Sequence, residues 1–304
     1  MFSYRNIIVL IDPAEDNQTA LMKATKLATA NNAKITLFSS GYNSTLANNR
    51  SLSSEQNESA QSSFVQGIKT ALEEKAATIR EEGLTVETVA IWDKHPSQAI
   101  INFLEKHLGD LVIKNTHHQN VMQRTLFSHT DWDLIRYSPI PLLLTKATPW
   151  PKKIKITAAV DPVNTHDKPT SLDFDLLAAA SLLCDRLDAS LDVLHVYDPT
   201  PLLIYLDQPA LDAGDITEQI RKQHQDALNT LVTRFNLPAS NVHLETGSPS
   251  TMIPDHLYQN DSHIVVMGAA SRQGIDRLLI GHTAERILDR ITADILVIKS
   301  EADH

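Results

Sequence analysis

Asp110-Leu-Val-Ile-Lys114, Ser128-His-Thr130 and Pro141-Leu-Leu-Leu-Thr145 occur in that order in the first half of the chain. His263-Ile-Val-Val-Met-Gly268, Gly281-His-Thr283 and Asp294-Ile-Leu-Val-Ile298 occur in the same order in the second. Each set is a short apolar run, a small-residue step and another short apolar run. Asp12 and Asp161 both close an apolar run just before a proline, 149 positions apart. Pro96 and Pro249 lie 153 positions apart, as do Thr130 and Thr283. A solenoid unit is roughly 20–50 residues, whereas a domain is commonly about 100–150. The chain therefore reads as two tandem domains, residues 1–148 and 152–304. The Pro-rich stretch Thr148-Pro-Trp-Pro-Lys152 joins them.

Working outward, apolar runs alternate with amphipathic stretches. Asn6–Ile11, Lys34–Phe38, Thr85–Ile91, Leu111–Ile113 and Leu142–Thr145 are short, β-branched and bounded by polar residues, as buried strands are. Asn17–Asn31, Ser62–Gly83, Pro96–Lys106 and Thr130–Tyr137 carry helical spacing, and Gly41–Asn57 reads as a loop. The second half repeats the order. Its strands are Ile154–Val160, Leu191–Tyr197, Val242–Thr246, Ile264–Met267 and Ile295–Ile298. Its helices are Leu172–Leu187, Ile216–Phe235, Pro249–Tyr258 and Thr283–Arg290. Alternating strands and helices predict an α/β fold, two doubly wound parallel sheets with helices on both faces. In such sheets ligands gather at the carboxyl ends of the strands.

The net charge of −10, from 37 acidic against 27 basic residues, argues against nucleic acid and anionic membrane as main partners. Cys184 is the only cysteine. It sits in an apolar run, reads as a buried thiol and fits a reducing compartment. No apolar run approaches the roughly 18 residues that span a bilayer, and the first residues lack a signal-peptide core. The expectation is a cytoplasmic protein.

The second half holds the phosphate-loop candidate. Met267-Gly268-Ala-Ala-Ser271-Arg272 leaves a strand, and Gly281-His282-Thr283 opens a helix, with nine residues between Ser271 and Gly281. Glycine lets backbone N–H groups approach phosphate oxygens. A helix start adds unsatisfied donors and a positive dipole end. Thr283 can cap or donate, and Arg272 adds charge. The same residues also read as a plain strand-to-loop turn followed by a capped helix.

On these residues the chain resembles the universal stress protein family in its tandem two-domain form, over nearly the whole length. The family's ATP pattern is Gly-x-x-Gly-x(9)-Gly-Ser/Thr after the fourth strand, with an Asp closing the first. Asp161, Gly268 and Gly281 match it, whereas Ser271 and His282 stand where Gly and Ser/Thr belong. The resemblance implies that Asp161 meets the adenine or ribose end and the loop meets the phosphates, with Mg²⁺ accompanying ATP. It implies that His195 and Val196 line the adenine side. In the first half Lys114, His117 and Ser128 replace the three glycines, so Lys114 either pairs with an anion or fills the vacated pocket. The resemblance also implies that Leu142–Thr145 and Ile295–Ile298 approach across a pseudo-twofold axis as an intramolecular pseudo-dimer, with a homodimer as the further option.

His117, His118, His129, Asp131 and Asp133 cluster in the first half's altered loop. These are zinc-type ligands, but the spacing matches no established site, and a structural or solvated role is the reading preferred. No Ser–His–Asp, HExxH or GxSxG arrangement is present. The expected function is a stress-response binding protein that holds ATP or a related nucleotide in its second domain. The first alternative is a slow ATPase, for which Ser271, His282 and Thr283 are the loop's candidates. The second is a carrier of a metal or lipid-like ligand in the first domain.

Overall fold

The structure is a computed structural model that describes residues 3–12, 19–49, 51, 53–116, 127–163, 171–200, 213–269, 287–288 and 290–299. It divides into two compact units, one ending at Pro149 and the other beginning at Trp150. Both are α/β.

The first unit runs β1 (Asn6–Leu10), α1 (Thr19–Asn31), β2 (Lys34–Gly41), α2 (Ser44–Ala47), α3 (Ser54–Glu81), β3 (Val86–Trp92), α4 (Pro96–Lys106), β4 (Leu111–Asn115), α5 (His129–Tyr137) and β5 (Leu142–Thr145). The strand order is β3-β2-β1-β4-β5, and each neighbouring pair is parallel. Ile7, Ile8, Val9, Val112, Ile113 and Leu143 are buried, as expected of strands covered on both faces. The order reverses between β1 and β4, where Leu10 registers with Lys114. That switch point brings Asp12 and Lys114 to one edge.

The second unit runs β6 (Lys155–Val160), α6 (Leu172–Leu187), β7 (Ser190–Tyr197), α7 (Ala213–Val232), β8 (Val242–Thr246), α8 (Pro249–Gln259), β9 (Ile264–Gly268) and β10 (Asp294–Ile298). Its order is β10-β9-β6-β7-β8, again parallel. Here the reversal falls between β6 and β9, with Ala159 in register with Met267. Asp161 and Met267 therefore take the places that Asp12 and Lys114 hold in the first unit, and Gly268 answers Asn115 rather than Lys114.

Several expected boundaries move. Helix α3 begins at Ser54, not Ser62, because Ser53 and Gln56 form a capping box. The box satisfies two N–H groups without any apolar stripe, so the polar segment is helical. Within the stretch read as loop, Asn43 caps the four-residue α2. Gly83 does follow the end of α3, at φ +87°, a left-handed value that suits glycine. Helix α7 starts at Ala213 rather than Ile216, and a 3₁₀ turn covers Thr233–Phe235. Most of the expected helix Thr283–Arg290 lies outside the described residues. Cys184 is half-buried rather than buried, and its thiol donates to the Ala189 carbonyl. Among the described residues, no helix is long and apolar enough to cross a membrane.

Candidate functional site

In the second unit β6 ends at Asp161, whose side chain is 48% exposed. Its backbone N–H donates to Asp173 Oδ1 at 3.1 Å. Asp173 lies in the first turn of α6, so this bond ties the strand exit to the helix that follows. Asp161 Oδ1 stands 4.0 Å from His195 Nδ1, which is beyond hydrogen-bond range. His195 is fully buried. Its Nδ1 lies 3.0 Å from the Val160 carbonyl and its Nε2 lies 2.7 Å from His224 Nδ1. A carbonyl only accepts, so Nδ1 carries the proton. In the neutral ring Nε2 then accepts from His224 Nδ1–H.

The His224 ring also stacks on Tyr197, with centroids 4.4 Å apart and planes at 20°. Asp161, His195, His224 and Tyr197 thus form one cluster at the carboxyl edge of β6 and β7, with α7 supplying His224. Sequence reading missed His224 because its partner is 29 positions away on another element. Partial burial lowers the His224 pKa first, the adjacent His195 lowers it further, and Asp161 opposes both.

His195 and Val196, expected together on the adenine side, do not share a face. Neighbouring strand residues point to opposite sides of a sheet, and Tyr197 accompanies His195. Both residues are buried, so His195 acts here by holding His224. Met267 is half-buried and Gly268 ends β9. A Cβ on Gly268 would meet Leu172 Cδ2 at 2.8 Å, so a side chain there would push Leu172 of α6 aside. Ser271, Arg272, Gly281, His282 and Thr283 lie outside the described residues.

In the first unit the corresponding edge is occupied by an ion pair. Lys114 Nζ sits 2.8 Å from Asp131 Oδ1, with the Asp131 side chain fully buried and that of Lys114 14% exposed. The same Nζ donates to the Asn115 carbonyl at 3.1 Å. Asp131 is the third residue of α5 and forms its capping box with Ser128. Asp131 Oδ2 accepts from Ser128 N at 2.7 Å and from Ser128 Oγ at 2.8 Å. The carboxylate therefore rests on the positive end of the helix, the position that favours an anion. Of the two options that sequence left for Lys114, the structure shows it paired with the chain's own Asp131.

Among the described residues, the candidate metal ligands form no shared site. Asp131 is committed to Lys114 and Ser128, His129 is exposed, and His117 and His118 lie outside the described residues. Among the described residues, no group of three or more His, Cys, Asp or Glu is placed to hold a metal ion.

The sequence pattern of the universal stress protein family matches residues 3–146 and 155–299. The chain is 29% identical over 302 residues to universal stress protein E of Salmonella typhi and of Escherichia coli K12, covering 99% of this chain and 96% of theirs. Its fold is similar to that of a functionally unknown protein from Pseudomonas aeruginosa PAO1. That match has a TM-score of 0.76 at 26% identity and covers 99% of this chain and 94% of the other. A universal stress protein from Archaeoglobus fulgidus shares the fold at a TM-score of 0.68 and 15% identity, over 98% of this chain and 99% of the other.

Two outcomes are expected. Substituting Lys114→Met leaves the Asp131 carboxylate buried and uncompensated, which costs about 3–5 kcal/mol. Thermal unfolding should then show the first unit strongly destabilised, and an unchanged transition contradicts the pair's role. His224 should titrate below the ordinary histidine value of about 6.5. With the folded pKa depressed, the folded state binds fewer protons than the unfolded one between the two pKa values. The stability contributed by His224 is thus complete above the ordinary value and is lost as pH falls through the folded value. Ring-proton NMR across that range checks it, and titration at or above the ordinary value refutes it.

Proposed function

The chain belongs to the universal stress protein family, and we propose that it is a cytoplasmic stress-response protein whose second unit binds an adenine nucleotide. The nucleotide is ATP with Mg²⁺, held at the carboxyl edge of β6, β7 and β9. The observation that carries this reading is Asp161. It is a half-exposed carboxylate at the sheet's switch point, where open α/β sheets hold their ligands. A carboxylate there accepts hydrogen bonds from vicinal hydroxyls, the chemistry that a ribose presents.

The cluster behind Asp161 fits the same reading. His195 is locked by Val160 and His224, so the edge is stiff before any ligand arrives. The stacked His224–Tyr197 pair adds a flat aromatic wall suited to a base. Gly268 ends β9 without a side chain. By residue type, Ser271, Arg272, Gly281 and Thr283 supply phosphate donors, and the head of the following helix would favour the anion. The role proposed is binding and signalling, not turnover.

Calorimetric titration of the full chain with ATP–Mg²⁺ tests this. The expected result is one nucleotide per chain in the micromolar range. Asp161→Ala should weaken binding roughly tenfold or more, the scale of a lost hydrogen bond to a charged group. Absence of heat in that range ends the proposal.

A further inference from the structure

The ion pair in the first unit has no counterpart in the second. The spacing of 153 that relates Thr130 to Thr283 sets Asp131 against Ala284, Ser128 against Gly281 and Lys114 against Met267, as the strand registers Leu10↔Lys114 and Ala159↔Met267 also do. The three members of the Lys114–Asp131–Ser128 arrangement are thus replaced by methionine, alanine and glycine. None of these residues has a side chain able to cap a helix or neutralise a charge. Asp131, through Ser128 and Lys114, supplies from within the chain the anion that a helix N-terminus attracts.

A cavity of about 270 Å³ lies beside this pair at the carboxyl edge of β1, β2 and β4. Ligand sites for drug-sized molecules run from roughly 300 to 1,000 Å³, so this one suits a small ligand without a polyphosphate tail. Phe38 and Ile100 give it an apolar side, and Asp12, Ser39 and Ser40 give it a polar one. Ser40 Oγ is buried and without a hydrogen-bond partner among the described residues. A buried hydroxyl left unpaired is costly, and a ligand that hydrogen-bonds in the cavity would satisfy it.

We propose that the first unit is a binding site for an uncharged, hydroxyl-bearing small molecule with one apolar face. Lys114 and Asp131 set this specificity, because the anion seat is already filled by Asp131. Hydroxyls of the ligand face Asp12 and Ser40, and its apolar face lies against Phe38 and Ile100. A phosphate approaching the head of α5 meets the Asp131 carboxylate, and that repulsion excludes it. This site is independent of nucleotide binding in the second unit.

The test uses the full chain labelled at isoleucine methyl groups, with NMR shifts read during titration. Ile11 and Ile100 line the cavity and report on the first unit, while Ile264 and Ile298 report on the second. The probes are adenosine, which is neutral, hydroxyl-bearing and flat, and inorganic tripolyphosphate. Adenosine is expected to shift Ile11 and Ile100, and tripolyphosphate to leave both in place. Ser40→Ala should weaken the adenosine response by up to about tenfold, the range of one neutral hydrogen bond. The variant Lys114→Met with Asp131→Ala copies the second unit at both positions and should let tripolyphosphate shift Ile100. Asp131→Asn keeps the volume and should do the same more weakly, which covers failure of the double variant to fold. If tripolyphosphate shifts Ile100 in the unaltered chain, or if adenosine does not, the proposal is overturned. If it leaves Ile100 unmoved in every folded variant, Asp131 is not what excludes it.

Discussion

Burial of parallel strands on both faces is the constraint from which the rest follows. Ile7, Val9, Ile113, Ile156, Val193 and Val265 are shielded from water, so the strand interiors have no room for chemistry. Polar groups of the sheet gather where strands end. The register Leu10↔Lys114 and Ala159↔Met267 then decides which residues meet at each switch point. A slip of one residue would turn each of them to the opposite face. Every proposal about ligands therefore rests on apolar packing that never touches a ligand.

The two units use the same edge in opposite ways. The first closes it with a buried charge pair, Lys114 and Asp131, anchored through Ser128. The second leaves Asp161 half-exposed and backs it with the His195–His224 hydrogen bond and the Tyr197 stack. A buried ion pair is weak grounds for net stability, since desolvation offsets its attraction. Its effect here is on recognition: it fixes the sign of charge that the first unit will accept. Duplication supplies two copies of one frame, and a few substitutions at the strand ends separate their chemistry.

Much of this was legible in the sequence, because buried strands and helix starts leave local marks. The runs around Ile7, Val112 and Val265 were readable from β-branched composition, and α4 from Pro96 at its start. Helix α3 was misread because its first two turns have no apolar stripe. The Ser53-Ser-Glu-Gln56 capping signature was the available signal. Groups joined across elements were not legible. Lys114 and Asp131 meet only because β4 and α5 converge, and His224 reaches His195 only because α7 packs against β7. The family resemblance set Val196 beside His195, and the strand's alternation turns their side chains to opposite faces. Gly268 carried an ambiguous mark: glycine suits a phosphate approach, but Leu172 needs the same space.

The most direct measurement is an experimental structure of the full chain with ATP–Mg²⁺ present. Density for the base and ribose is expected beside Asp161, His224 and Tyr197, with the Lys114–Asp131 pair intact in the first unit. Phosphate density at Ser128 and the head of α5, with Lys114 drawn away from Asp131, would contradict it.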